Sequence, residues 1–171
     1  MRMFTTRSHR YTLLTTLMMS TLPAGGLYAS DTPSREAERM KAVARGSFTV
    51  QIRPAAEPSV TDGTSLGRMT IDKQFEGDLV GTGKGEMLTA ITPVKGSAGY
   101  VAIERVSGSL HGRTGSFVFQ HTGTMDHGAQ SLSITVVPDS GTGALTGIRG
   151  TFRLTIVGDK HLYDFEYELP Q

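Results

Sequence analysis

Four stretches of this sequence alternate between apolar and largely polar residues, and no other feature limits its fold as strongly. Phe48, Val50 and Ile52 alternate with Ser47, Thr49 and Gln51, and Leu132, Ile134 and Val136 with Ser131, Ser133 and Thr135. Phe152, Leu154 and Ile156 alternate with Thr151, Arg153 and Thr155, and Tyr163, Phe165, Tyr167 and Leu169 with Leu162, Asp164, Glu166 and Glu168. A period of two places one row on a core and the other in water. A helix would scatter both rows around its circumference.

Turn chemistry punctuates these rows. Clusters of Gly, Pro and Asp fall at 54–63, 77–78, 93–99, 111–113, 126–128, 138–143 and 158–159. They separate eight candidate strands, near 46–53, 66–76, 78–92, 98–110, 114–124, 130–138, 148–157 and 161–169. Short connections favour antiparallel neighbours in sequence order. Eight strands could stack as a sandwich, but closure removes exposed edges. The expectation is therefore an all-β fold, a closed antiparallel eight-stranded barrel, with room inside for side chains or one small ligand. Gly81, Gly83, Gly85, Gly108, Gly115 and Gly123 fall inside strands. They read as bulges or tight bends in preference to sites of ligand approach.

The N-terminal region has a different texture. Arg2, Arg7 and Arg10 precede an uncharged run from Tyr11 to Leu22, then Pro23, Gly25 and Gly26, and a small residue at Ala29. That order is expected of a secretory signal peptide at 1–29, and the run is too short to span a bilayer. Residues 30–45, rich in Ala, Glu and Arg, read as a short, exposed, partly helical leader. The barrel domain is placed at 46–171. The expected location is the periplasm or the extracellular space, with no integral membrane segment after cleavage.

Cleavage at Ala29 would leave 14 basic and 16 acidic side chains with no block of either sign. Nucleic-acid binding needs clustered Lys and Arg, so that class is set aside. The chain has no cysteine, which excludes disulfides, thiolate metal ligands and thiol nucleophiles. Gly81-Thr-Gly83-Lys84-Gly85 lacks the spacing of a phosphate loop, and Glu86 stands where a dinucleotide fingerprint needs its third glycine. His121, Asp126 and His127 fit no metal-ligand spacing. The expectation is no metal and no cofactor.

Three polar side chains sit on otherwise apolar rows. Lys73 shares a row with Met69, Ile71 and Phe75; Glu104 with Tyr100, Ala102 and Val106; His121 with Phe117 and Phe119. A charge aimed into a dry core is expensive unless paired. Lys73 with Glu104 would pair, and His121 could join them, a set suited to acid–base chemistry. The competing reading leaves Lys73 snorkelling at the rim and Glu104 beside Arg105 or in water. Tyr100, Phe117, Phe119, Gln120, Phe165 and Tyr167 are the candidate ligand wall.

Three segments together, Arg68–Leu79, Tyr100–His121 and Val136–Gly150, resemble the bacterial family known as domain of unknown function 3224. The last carries Ser140-Gly-Thr-Gly143-Ala-Leu145-Thr-Gly147-Ile-Arg-Gly150. This run is similar to the glycine turn before a late strand in the barrels of allene oxide cyclase and dirigent proteins. The resemblance covers about residues 46–169 and implies a closed barrel of that kind. It implies no activity. The cyclase's acid, amide and thiol groups do not carry over, since this chain has neither asparagine nor cysteine, and a shared fold alone does not transfer chemistry.

The leading expectation is a module binding one small apolar ligand in the barrel. The rival is a cofactor-independent cyclase or isomerase using Lys73, Glu104 and His121. A third is a structural protein that assembles into oligomers without a ligand. Convergence of the three polar side chains beside a cavity would favour the enzyme; outward-facing side chains on separate strands would dismiss it.

Overall fold

The structure, a computed structural model, describes residues 38–171. The signal segment and the first part of the expected leader, 30–37, lie outside the described residues. The strands are β1 Arg39–Pro54, β2 Ser59–Thr61, β3 Thr64–Gly77, β4 Leu79–Ile91, β5 Ala98–Leu110, β6 Arg113–Asp126, β7 Ala129–Val136, β8 Arg149–Val157 and β9 Lys160–Pro170. The described residues contain no α-helix, only one turn of 3-10 helix at Gly143–Leu145. Pairing is antiparallel throughout, in the order β1-β9-β8-β7-β6-β5-β4-β3, and β3 returns to β1. Those eight strands close the barrel that the alternation predicts. The short β2 only extends β3; its residues had read as part of a turn.

The closing strand corrects the sequence reading. β1 starts at Arg39, so residues 39–45 are barrel wall rather than exposed leader. Its first part pairs with β9, from Arg39 opposite Pro170 to Phe48 opposite His161. Its second part pairs with β3, from Gly46 opposite Gly77 to Pro54 opposite Met69. Met40, Ala42 and Ala44 face inward and pack on the core. Two alanines make so weak an apolar row that the alternation is hard to see. The charges on the other face, which had suggested a solvated leader, meet an acidic row on β9. Lys41 lies 3.2 Å from Glu168, and Arg45 donates to Asp164 at 2.8 Å. Cross-strand pairs of opposite charge support this register.

The barrel is filled at one end. Phe75, Phe117, Phe119, Phe152, Tyr163, Phe165 and Tyr167 are all buried there. Their rings stack or meet edge to face, with Phe117 and Phe165 5.6 Å apart and Phe119 and Phe152 5.1 Å apart. The long β7–β8 connection seals this end with Leu145 and Ile148. It lies along β6, where Thr142 Oγ1 accepts the Ser116 N–H at 3.0 Å and Ser140 Oγ accepts that of Val118 at 3.0 Å. A Cβ on Gly115 would stand 2.1 Å from the Thr142 carbonyl oxygen, so the glycine lets the connection settle there. Polar pins complete the seal. Tyr163 Oη accepts the Leu79 N–H at 3.0 Å. His111 Nδ1 lies 2.8 Å from Tyr167 Oη, and its Nε2 lies 3.3 Å from Asp78.

Candidate functional site

The opposite end is hollow. A cavity of about 450 Å³ lies inside the barrel, walled by aliphatic residues that include Val50, Ile71, Met87 and Leu154. Ile52, Ile91 and Leu132 line it too, yet each is two-fifths or more exposed. They mark its mouth. The space exists because the inward rows lose their bulk toward this end. On β6, Phe117 and Phe119 give way to His121, Gly123 and Met125; on β5, Val106 and Glu104 give way to Ala102, Tyr100 and Ala98. A ring fits where Gly123 leaves room: a Cβ there would lie 2.2 Å from the Tyr100 ring. Among the described residues, β7 is bridged to β8 through Thr135 and Thr151 alone, and the two strands contribute Leu132 and Leu154 to the cavity on the mouth side of that bridge.

Lys73, Glu104 and His121 come together at the cavity's inner end. Lys73 Nζ donates to Glu104 Oε2 at 2.7 Å. His121 Nε2 lies 3.0 Å from the same oxygen, out of line for a hydrogen bond. Glu104 is wholly buried, and the side chains of Lys73 and His121 are 8% and 5% exposed. Lys73 and His121 line the cavity, while the carboxylate sits behind them. The Lys73 ammonium also lies 4.8 Å from the centre of the Phe48 ring, a cation–π contact.

The glycines of β4 build this arrangement. Lys73 faces Gly83 across β3–β4, and Gly85 faces Glu104 across β4–β5. A Cβ on Gly83 would stand 2.0 Å from Glu104 Oε1, and one on Gly85 2.8 Å from the Glu104 Cα. The carboxylate therefore reaches across a bare strand to Lys73. Register through β4 is unbroken on both sides, so these glycines are not bulges; they make room for a buried ion pair. Burial raises the Glu104 pKa, but the adjacent His121 and the Lys73 ammonium outweigh it, and the net shift is downward. Tyr100, on the same strand, is pushed up by burial and by the Glu104 charge.

The expected ligand wall needs correction. Tyr100 lines the cavity. Phe117, Phe119, Phe165 and Tyr167 belong to the filled end, at most 2% exposed, and Gln120 points outward. The walls are instead the aliphatic inner rows of β1, β3 and β4. Asp126 and His127 sit together on the exposed β6–β7 turn, apart from the interior His121. Among the described residues, no three His, Asp or Glu side chains are placed to hold a metal ion, and no helix is long and apolar enough to cross a membrane.

Fold and site define a class: a closed eight-stranded antiparallel barrel, plugged at one end and hollow at the other, with a buried ion pair at the inner end of the hollow. The chain belongs to a family of proteins of unknown function, DUF3224, whose family model matches residues 44–167. It is similar to a protein of unknown function from that family from Shewanella oneidensis MR-1, known from a crystal structure at 1.84 Å. The two share 47% identity over 78% of this chain and 98% of that one, with a TM-score of 0.70. No curated protein matches the sequence.

Proposed function

We propose that the barrel binds one small, mostly apolar molecule in its hollow end. The observation that carries this reading is the cavity itself. Its size falls in the range of small-molecule sites, its walls are aliphatic, and its few polar groups converge at one end. Thermal stability measured against lipids, terpenoids and phenolics tests it. A ligand at about a hundred times its Kd adds about 2.7 kcal/mol to folding stability. A lack of shift with every class would contradict the reading.

The convergence of Lys73, Glu104 and His121 favours a second reading, a cofactor-independent isomerase or cyclase. In this reading His121, with Glu104 Oε2 3.0 Å from its Nε2, would exchange a proton with a bound molecule through Nδ1. Lys73 would stabilise negative charge developing on a substrate oxygen. Turnover of a ligand found by the binding screen, abolished in Glu104→Gln, would establish this; an unchanged ligand recovered after long incubation would reject it. The protein is further proposed to be exported, with its mature N-terminus near Ser30. N-terminal sequencing of protein from the cell envelope and medium checks this; a full-length chain in the cytosol would refute it.

A further inference from the structure

We infer that the molecule held in the cavity carries a neutral carbonyl oxygen, as in a ketone, aldehyde or ester, and that Lys73 Nζ receives it. The inference rests on the cavity reading above and adds the chemistry of the ligand's polar end. Lys73 and His121 face the cavity from its inner end, and the Glu104 carboxylate lies behind them, out of the lining. An ammonium carries three donors. Within the described residues, Lys73 Nζ spends one on Glu104 and lies over the rings of Phe48 and Phe75, 4.8 and 5.7 Å from their centres. A donor is left facing a space with aliphatic walls. There a ligand oxygen meets little competition from water, so the hydrogen bond contributes more than it would on the surface.

Charge selects among possible polar ends. A ligand amine would bring a second positive charge against Lys73. A ligand carboxylate would bring a second negative charge beside a cation that Glu104 already balances at 2.7 Å, and burying that surplus is costly. A carbonyl accepts the free donor without adding a charge or a donor of its own.

The test is competition for the cavity. The folded protein is loaded with the neutral fluorophore phenylnaphthylamine, and straight-chain compounds of one length compete for it: a methyl ketone, the alkane, the carboxylate and the primary amine. The ketone should compete about tenfold better than the alkane, as expected for a hydrogen bond to a charged donor, and better than the carboxylate and the amine. In Lys73→Met/Glu104→Leu, which removes the buried pair together, the ketone-to-alkane ratio should fall to near one. The stretching frequency of an isotope-labelled ketone carbonyl should drop on binding to the wild-type protein, a readout independent of the variant. Equal competition by ketone and alkane, or a carboxylate ahead of the ketone, would overturn the carbonyl assignment and leave the cavity reading standing. Failure of the fluorophore and every competitor to bind would overturn both.

Discussion

The two ends of the barrel are built from the same strands but solve opposite problems. At the plugged end, aromatic rings from β3, β6, β8 and β9 fill the interior, and the polar groups among them have partners. Tyr163 bonds the Leu79 backbone, and His111 joins Tyr167 to Asp78. At the hollow end, the same inward rows carry aliphatic, glycine and alanine residues, and polar groups are left unmatched: Glu104 Oε1 and His121 Nε2 are buried without hydrogen bonds. A protein interior is normally packed to crystal density, and buried polar atoms normally have partners. The hollow end breaks the packing rule that the plugged end keeps, and two of the three buried side-chain atoms without hydrogen bonds among the described residues lie there; the third, Arg39 Nε, sits at the start of β1, 3.3 Å from Glu168.

Mutations that separate the ends should show the contrast. The largest effect is expected at the plug. Phe119→Ala should cost about 3–5 kcal/mol in urea unfolding, because neighbouring rings cannot collapse onto the gap. Leu154→Ala, which faces space already empty, should cost less than about 2 kcal/mol; equal losses would erase the distinction. Next comes Lys73→Met, which strands the Glu104 charge and should cost about 3 kcal/mol. Lys73→Met/Glu104→Leu should recover most of that, since a buried ion pair can often be replaced by apolar residues without loss.

A smaller effect should appear in acid. The Glu104 pKa is lowered in the folded protein from an ordinary value near 4.5. Its stabilisation is therefore present above that value and lost as pH falls through the lower, folded value. Denaturation midpoints followed from about pH 6 downward should fall less steeply in Glu104→Gln than in the wild type. Asp78 at the plugged end is also lowered, chiefly by the Arg45 backbone N–H, so part of the slope should remain. The smallest effect belongs outside the barrel: Arg45→Ala breaks an exposed pair with Asp164 and should cost less than about 1 kcal/mol.

The eight barrel strands were legible because a half-buried strand writes its period into the sequence wherever its inner residues are large. β1 shows the limit. From Phe48 to Ile52 the row is plain, but from Met40 to Ala44 it rests on alanines, and the paired charges on its outer face look like a solvated tail. The polar trio was legible for the same reason, since Lys73, Glu104 and His121 interrupt apolar rows. Their meeting was less so, because it depends on the registers of β3, β4, β5 and β6 and on Gly83 being bare. Gln120 was misplaced against its own alternation, standing between the inward residues Phe119 and His121. Phe117, Phe119, Phe165 and Tyr167 were assigned to the correct face but the wrong end. Alternation gives the face of a strand; depth along the barrel follows from how neighbouring strands are staggered.

Saturable uptake of a neutral apolar molecule most directly tests whether the hollow end is a binding site. Thr89 lines the cavity from β4, and Thr89→Trp would place a ring inside it. Titration with phenylnaphthylamine should saturate at one molecule per chain in the wild-type protein and be lost in Thr89→Trp, whose thermal midpoint should not fall. An absence of saturable uptake, or uptake undiminished by the tryptophan, would contradict a ligand site in the barrel.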